Sequence, residues 1–277
     1  MSLPTLDPGA LLRAHGLHPK KGLGQNFLVD DTALRQVVAA AAIDPASTVL
    51  EIGPGLGHLT RYLACAARRV VSVELDPELI PILREVLSAT PNVSIIQGDI
   101  LKQDLAVLVG EAGYLVVANI PYNITSILIR RLLETRPKPA RLVLTVQKEV
   151  AERICAGPGD LSLLALSVQV YGQPKVAVRI PAAAFYPPPE VDSAVLRVDL
   201  FDQPRIPAGQ MDVFFRLIKA GFSQKRKTMR NALAGGLAWK PDQAATLLDA
   251  AGIDPQRRAE TLNLDEWGIL VNKFPAA

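Results

Sequence analysis

Short apolar runs rich in β-branched residues alternate with helical patterns, and nothing else in this chain limits its fold as much. The runs are Thr48–Ile52, Val70–Val73, Val93–Gln97, Tyr114–Ala118, Arg141–Gln147, Val176–Ile180 and Ala194–Leu200. Several are apolar at nearly every position, the pattern of strands covered on both faces. Strand and helix in alternation fold as an α/β, doubly wound, mostly parallel sheet. Ligands of such sheets bind outside the carboxyl ends of the strands. The residues at those ends are therefore where chemistry is expected.

The first run flows into Gly53-Pro54-Gly55-Leu56-Gly57 and then a helix pattern from His58. A strand, a glycine turn and a helix make the first half of a nucleotide-binding unit. The spacing is GxGxG rather than the dinucleotide GxGxxG, so the turn alone is a weak signal. The second strand ends at Glu74, about 20 residues beyond the first glycine, where such folds hold ribose hydroxyls. Asp76-Pro77 then opens a helix, with proline in its first turn. The third strand ends in Gly98-Asp99, and an aspartate there can accept from an adenine amino group. Each acid alone is as well explained by a helix cap, but together they suit an adenosine-containing ligand. NAD fits the same description.

The fourth strand end argues against hydride transfer. Asn119-Ile120-Pro121-Tyr122-Asn123 offers an amide oxygen, a backbone carbonyl near Pro121 and an aromatic face. Read alone it is a tight turn. Beside an adenosine ligand it suits the grip of a planar amine. An adenine amino group is a poor nucleophile because its lone pair is delocalised into the ring. Two acceptors on its N–H bonds favour pyramidal geometry and localise that pair. Tyr122 would stack on the base. Phe185, on the loop stiffened by Pro187-Pro188-Pro189, would clamp the other face.

Charge divides the chain. From Gln203 onward there are 11 Lys/Arg against 7 Asp/Glu, while the first 202 residues hold 19 against 20. The stretch from Arg216 to Arg230 has no acid at all. Such local basic density points to a polyanion, with a solvated basic helix face as the plainer reading. Beyond Asp202-Gln203-Pro204 no strand pattern appears. Helices are expected over Met211–Gly221, Lys225–Leu233, Gln243–Ala251 and Asp265–Phe274. The apolar run Leu161–Val170 is expected to pack as a helix on the sheet.

The chain resembles the bacterial small-subunit ribosomal RNA adenine dimethyltransferases over nearly its whole length. Gly24-Gln25-Asn26-Phe27-Leu28, Glu51 to Gly57, Asn119 to Asn123, Phe185 to Ser193 and Phe222 to Asn231 match in order. The resemblance implies a Rossmann-like class I methyltransferase sheet of seven strands with a smaller C-terminal all-helical domain. It implies S-adenosyl-L-methionine as donor, S-adenosyl-L-homocysteine as product and no metal. The substrate it implies is a pair of adjacent adenosines in the 3′-terminal hairpin loop of small-subunit rRNA, within a pre-30S particle. Cofactor contacts carry over to Gln25, Asn26, Leu28, Gly53, Gly55, Glu74, Leu75, Asp99, Ile100 and Asn119. The target base carries over to Asn119, Ile120, Pro121, Tyr122 and Phe185, and RNA contacts to Lys225, Arg226, Lys227 and Arg230. The erythromycin-resistance methyltransferases of large-subunit rRNA share the cofactor and base motifs. Gln147 to Ile154 and Asp192 to Val195 look more like the small-subunit enzymes. A different kind of alternative is an RNA-binding assembly factor in which methylation is secondary.

The expected organisation is a catalytic domain over 1–202, with an N-terminal arm 1–29, and a helical RNA-positioning domain over 203–277. No signal peptide or membrane span is indicated, and Cys65 and Cys155 form no metal or disulfide framework. A cytoplasmic monomer is expected.

Overall fold

In a computed structural model of the chain, residues 3–224 and 226–275 are described, Asn123 by its backbone alone. They form two compact units. The first comprises Met1–Ala151 and Lys175–Leu200, the second Glu152–Pro174 and Phe201–Ala277. The segment 152–174, expected in the first domain, thus belongs to the second unit.

The strands are β1 (Phe27–Leu28), β2 (Thr48–Ile52), β3 (Arg69–Glu74), β4 (Val93–Gln97), β5 (Leu115–Asn119), β6 (Arg141–Gln147), β7 (Gly172–Ile180), β8 (Phe185–Tyr186) and β9 (Ser193–Leu200). Helices α1 (Pro8–Ala14), α2 (Asp31–Ala41), α3 (His58–Ala66), α4 (Ile80–Val86), α5 (Leu105–Val109) and α6 (Thr125–Glu134) belong to the first unit. Then follow α7 (Lys148–Ile154), α8 (Leu163–Gln169), α9 (Met211–Phe222), α10 (Met229–Leu237), α11 (Pro241–Ala250) and α12 (Leu264–Lys273).

Seven strands form one sheet in the order β4-β3-β2-β5-β6-β9-β7. Every pairing from β4 through β6 is parallel, and β9 runs antiparallel to β6. The central strands β2, β3, β5 and β6 bury nearly every residue, because helices cover both faces. From β2 the chain winds outward to β4, then returns to β5 on the other side. That reversal opens a crevice between the ends of β2 and β5, the general ligand site of open α/β sheets.

A second, two-stranded ladder matters for the site. β1 pairs antiparallel with β8, placing Leu28 opposite Phe185 and Phe27 opposite Tyr186. Val29 N donates to the Ala184 carbonyl at 2.9 Å and extends the pairing. The N-terminal arm is thereby tied to the proline-rich loop. Leu28 and Phe185 both sink into one core cluster with Val37, Leu63, Val117 and Val195.

In the second unit α10 packs between α9 and α11, and α12 lies on α9. A Cβ on Gly236 would fall 2.5 Å from Ala220 Cα, so the α9–α10 crossing needs glycine there. The apolar helix α8, expected on the sheet, belongs to the second unit and packs there against α9. The basic run differs from its expectation: α10 begins only at Met229, whose N–H donates to the Arg257 carbonyl at 2.7 Å. Residues 223, 224, 226 and 227 are turn and bend, and Thr228 is extended.

Candidate active site at the strand ends

A cleft of about 800 Å³, partly open to solvent, occupies the crevice. Gln25 and Asn26 of the arm, Gly53, Gly55, Glu74, Leu75, Asp99, Ile100 and the block Asn119–Tyr122 all line it. Two expected residues are not in the lining. Leu28 and Phe185 are 3% and 4% exposed and face the core cluster instead. Phe185 is held there by the pairing of β8 with β1, at the start of the loop that the prolines stiffen.

The acid at the end of β3 is held rigidly. Glu74 Oε2 accepts from Gly55 N at 3.0 Å and Oε1 from Asp76 N at 2.8 Å. Its remaining lone pairs are available to ligand hydroxyls. Burial raises the Glu74 pKa, and the backbone donors oppose that rise. Gly55 sits at φ +60° with Phe27 against it: a Cβ there would lie 2.8 Å from the Phe27 ring. The turn thus requires glycine for both its conformation and its contact.

Asp76, read from sequence only as a helix cap, is a buried hub. It accepts from Lys20 Nζ at 2.9 Å, Gln25 Nε2 at 2.8 Å and Glu78 N at 3.2 Å. Lys20 also pairs with Glu78. Burial alone would raise the Asp76 carboxyl, but these donors outweigh it and hold it below the usual range. Gln25 Oε1 in turn accepts from Lys20 N at 2.8 Å. Gln25 therefore latches the arm beside the cleft. Its carboxylate partner, Asp76, lies about fifty residues away in sequence, which no local pattern reveals. Asp99 Oδ1 accepts from Leu101 N at 3.0 Å, and its carboxylate borders the cleft.

At the end of β5, Asn119 Nδ2 donates to the Asn26 carbonyl at 2.8 Å. A carbonyl only accepts, so the amide nitrogen must face it and the oxygen is turned away, free to accept. The Pro121 carbonyl is engaged by Ile124 N at 3.2 Å and Thr125 Oγ1 at 3.4 Å. The Ile120 carbonyl, beside Asn119, takes no hydrogen bond from the described residues. Ile120 N donates to the Thr145 carbonyl at 3.2 Å and locks this stretch to β6. Tyr122 bonds Ser193 through its hydroxyl at 2.8 Å.

These donors and acceptors fit an adenosine-bearing donor molecule: a fixed carboxylate for hydroxyls, a second acid, apolar Leu75 and Ile100, and a glycine turn that admits close approach. The whole-chain comparisons agree. A model of ribosomal RNA adenine dimethylases matches residues 16–274. The chain belongs to that family. It is an S-adenosylmethionine-dependent rRNA adenine dimethyltransferase. The small subunit methyltransferase A of Dehalococcoides mccartyi is 47% identical over 277 residues, covering 99% of this chain and 95% of the relative. A dimethyladenosine transferase from Plasmodium falciparum matches in structure with a TM-score of 0.78 and 25% identity, over 90% of this chain and 97% of its own. The 23S rRNA methyltransferase ErmE matches with a TM-score of 0.73 and 27% identity, over 90% and 99%.

The expected RNA contacts belong to the second unit. Arg226 and Lys227 are exposed, and Lys225 lies outside the described residues. Arg230 is engaged by Asp242 at 3.0 Å. No helix among the described residues is long and apolar enough to cross a membrane.

Proposed function

We propose that this dimethyltransferase modifies two adjacent adenosines in the 3′-terminal hairpin loop of small-subunit rRNA, acting as a cytoplasmic monomer on a pre-30S particle. The target base enters beside Asn119. The Asn119 side-chain oxygen and the Ile120 carbonyl accept the two N–H bonds of its amino group, and Tyr122 stacks on its ring. Glu74, Asp99, Gly53, Gly55, Leu75 and Ile100 hold the donor, with Gln25 and Asn26 fixing the arm against it. S-adenosylmethionine supplies a methyl on a sulfonium, so its leaving group is a neutral thioether. The chain's share is alignment and oriented acceptors, both ready before the base arrives. The carrying observation is the Asn119 amide, fixed through its nitrogen to Asn26 so that its oxygen is turned to accept.

A base in such a pocket must be unpaired or flipped out, which a hairpin loop allows at low cost. The exposed basic residues Arg226 and Lys227 contact RNA phosphates. The test is to incubate the protein and labelled donor with unmethylated small subunits and, separately, with large-subunit rRNA. Label mapped to two neighbouring loop adenosines of the small subunit is the expected result. Label confined to the large-subunit RNA overturns the assignment.

A further inference from the structure

We infer that Ser193 is a positioning residue for methyl transfer, acting through Tyr122. The inference rests on the proposed stacking of Tyr122 on the target base. The rings in the cleft lining are Phe27 and Tyr122, and Phe27 is packed on Gly55. The plane of the base is then set from Tyr122. A tyrosine ring held only at its backbone pivots about its first side-chain bond, and its far edge sweeps furthest. Here the far edge is tied: the hydroxyl lies 2.8 Å from Ser193 Oγ, and either group can donate.

Ser193 is a firm bracket. It is fully buried and opens β9 opposite Gln147 of β6. Its neighbour Asp192 closes the loop on both sides. The Asp192 carbonyl accepts from Lys148 N at 3.0 Å, and its Oδ1 accepts from Ala182 N at 2.9 Å. The same strand pair also holds the base of the target wall, because Ile120 N donates to the carbonyl of Thr145, which pairs with Val195. The backbone beside Asn119 and the ring of Tyr122 are thus both referenced to β6 and β9. Orienting acceptors and stacking face keep one fixed separation. The proline loop, on this account, contributes to the site through the serine at its end.

The test measures kcat, the KM for RNA and donor affinity in Ser193→Ala, Tyr122→Phe, their double variant and Tyr122→Ala, on the full chain with small-subunit substrate. Each of the first two removes the same bond from opposite ends and leaves the ring. Each is expected to lower kcat about tenfold with donor affinity unchanged, as small misplacement at a reacting centre does. The double variant should be no worse than either single one, since the bond can be lost only once. Effects that multiply to about a hundredfold, or a wild-type kcat in either single variant, overturn the inference. Should Ser193→Ala fail to fold, Tyr122→Phe alone decides. If Tyr122→Ala keeps full kcat, the stacking reading itself fails. If Tyr122→Ala loses kcat while Tyr122→Phe does not, only the role of Ser193 fails.

Discussion

On the proposed donor side of the cleft, Glu74, Asp76 and Gln25 have their polar atoms bound into the protein before any ligand arrives. On the proposed target side, Asn119 and Tyr122 are each tied at one end and open at the other. Glu74 is held through both oxygens by Gly55 N and Asp76 N, and Gln25 through both its amide atoms. Asn119 is held through its nitrogen and Tyr122 through its hydroxyl. The difference matches the demands. A donor molecule must be bound in the same pose each cycle, so a rigid cradle lowers its ordering cost. A base must be gripped by groups that act most strongly as the amine changes shape, so their acceptors stay unspent until then.

The largest predicted effect breaks the comparison at its sharpest point. Asn119→Ala removes an oriented acceptor of the reacting amine and should lower kcat about 100- to 1,000-fold, the usual scale for one preorganised polar group. Donor affinity should fall only modestly. Glu74→Gln should do the reverse: donor affinity falls about tenfold or more, as when a hydrogen bond to a charged group is lost, while kcat at saturating donor changes little. Equilibrium binding of the donor and single-turnover methylation, measured side by side, give both numbers. Equal losses in both quantities for both variants would mean that the two halves are not functionally separate.

This division was only half legible in the sequence. The ends of β2, β3, β4 and β5 were readable because a buried strand is a local pattern and its last residue is fixed by it. Glu74, Asp99 and Asn119 followed. What ties those residues was not readable. Asp76 looks like an ordinary helix cap beside a proline, and its partners Lys20 and Gln25 are more than fifty residues back. Phe185 sits in a motif whose prolines fix backbone shape, yet the direction of its ring depends on a two-residue ladder with Phe27 and Leu28. In the same way, the apolar period of α8 marks it as buried without saying which layer buries it. The expected helix over Lys225–Leu233 starts late because Met229 N finds its acceptor in Arg257, a contact outside any local window.

The rigidity of the donor side has a pH signature. Glu51, beneath the glycine turn, is buried, and Ser72 Oγ donates to its Oε2 at 2.7 Å. Its Oε1 has no partner among the described residues. Burial pushes its pKa up to about 7 from 4.5, with the Ser72 hydrogen bond opposing and Glu74 adding to the rise. The folded state therefore holds this proton more tightly than the unfolded chain. Folding carries no penalty from Glu51 below pH 4.5, loses stability as pH rises toward 7, and is level above that. At about 1.4 kcal/mol per pH unit, the loss is of the order of 3 kcal/mol. Glu51→Gln should remove it. Urea midpoints at acidic and at slightly alkaline pH should converge in the variant and diverge in the wild type. Parallel pH dependences would show that Glu51 does not carry this burial penalty.

The smallest predicted effect should leave both halves of the cleft untouched, and within it lies a finer contrast. Arg226 and Lys227 are exposed, whereas the Arg230 guanidinium is already bonded to Asp242. Each phosphate contact contributes nearly one unit to the slope of log affinity against log salt. Arg226→Ala and Lys227→Ala should each reduce that slope by about one and weaken RNA binding several-fold at low salt. Arg230→Ala should change it less, because an arginine must first give up Asp242 to meet a phosphate. Donor affinity, and kcat at saturating RNA, should stay at wild-type values in all three. RNA affinity over a salt series reads the slope directly. An unchanged slope in Arg226→Ala and Lys227→Ala would remove the basic run from the phosphate interface. A larger change for Arg230→Ala than for the other two would mean that the Asp242 pair opens when RNA binds.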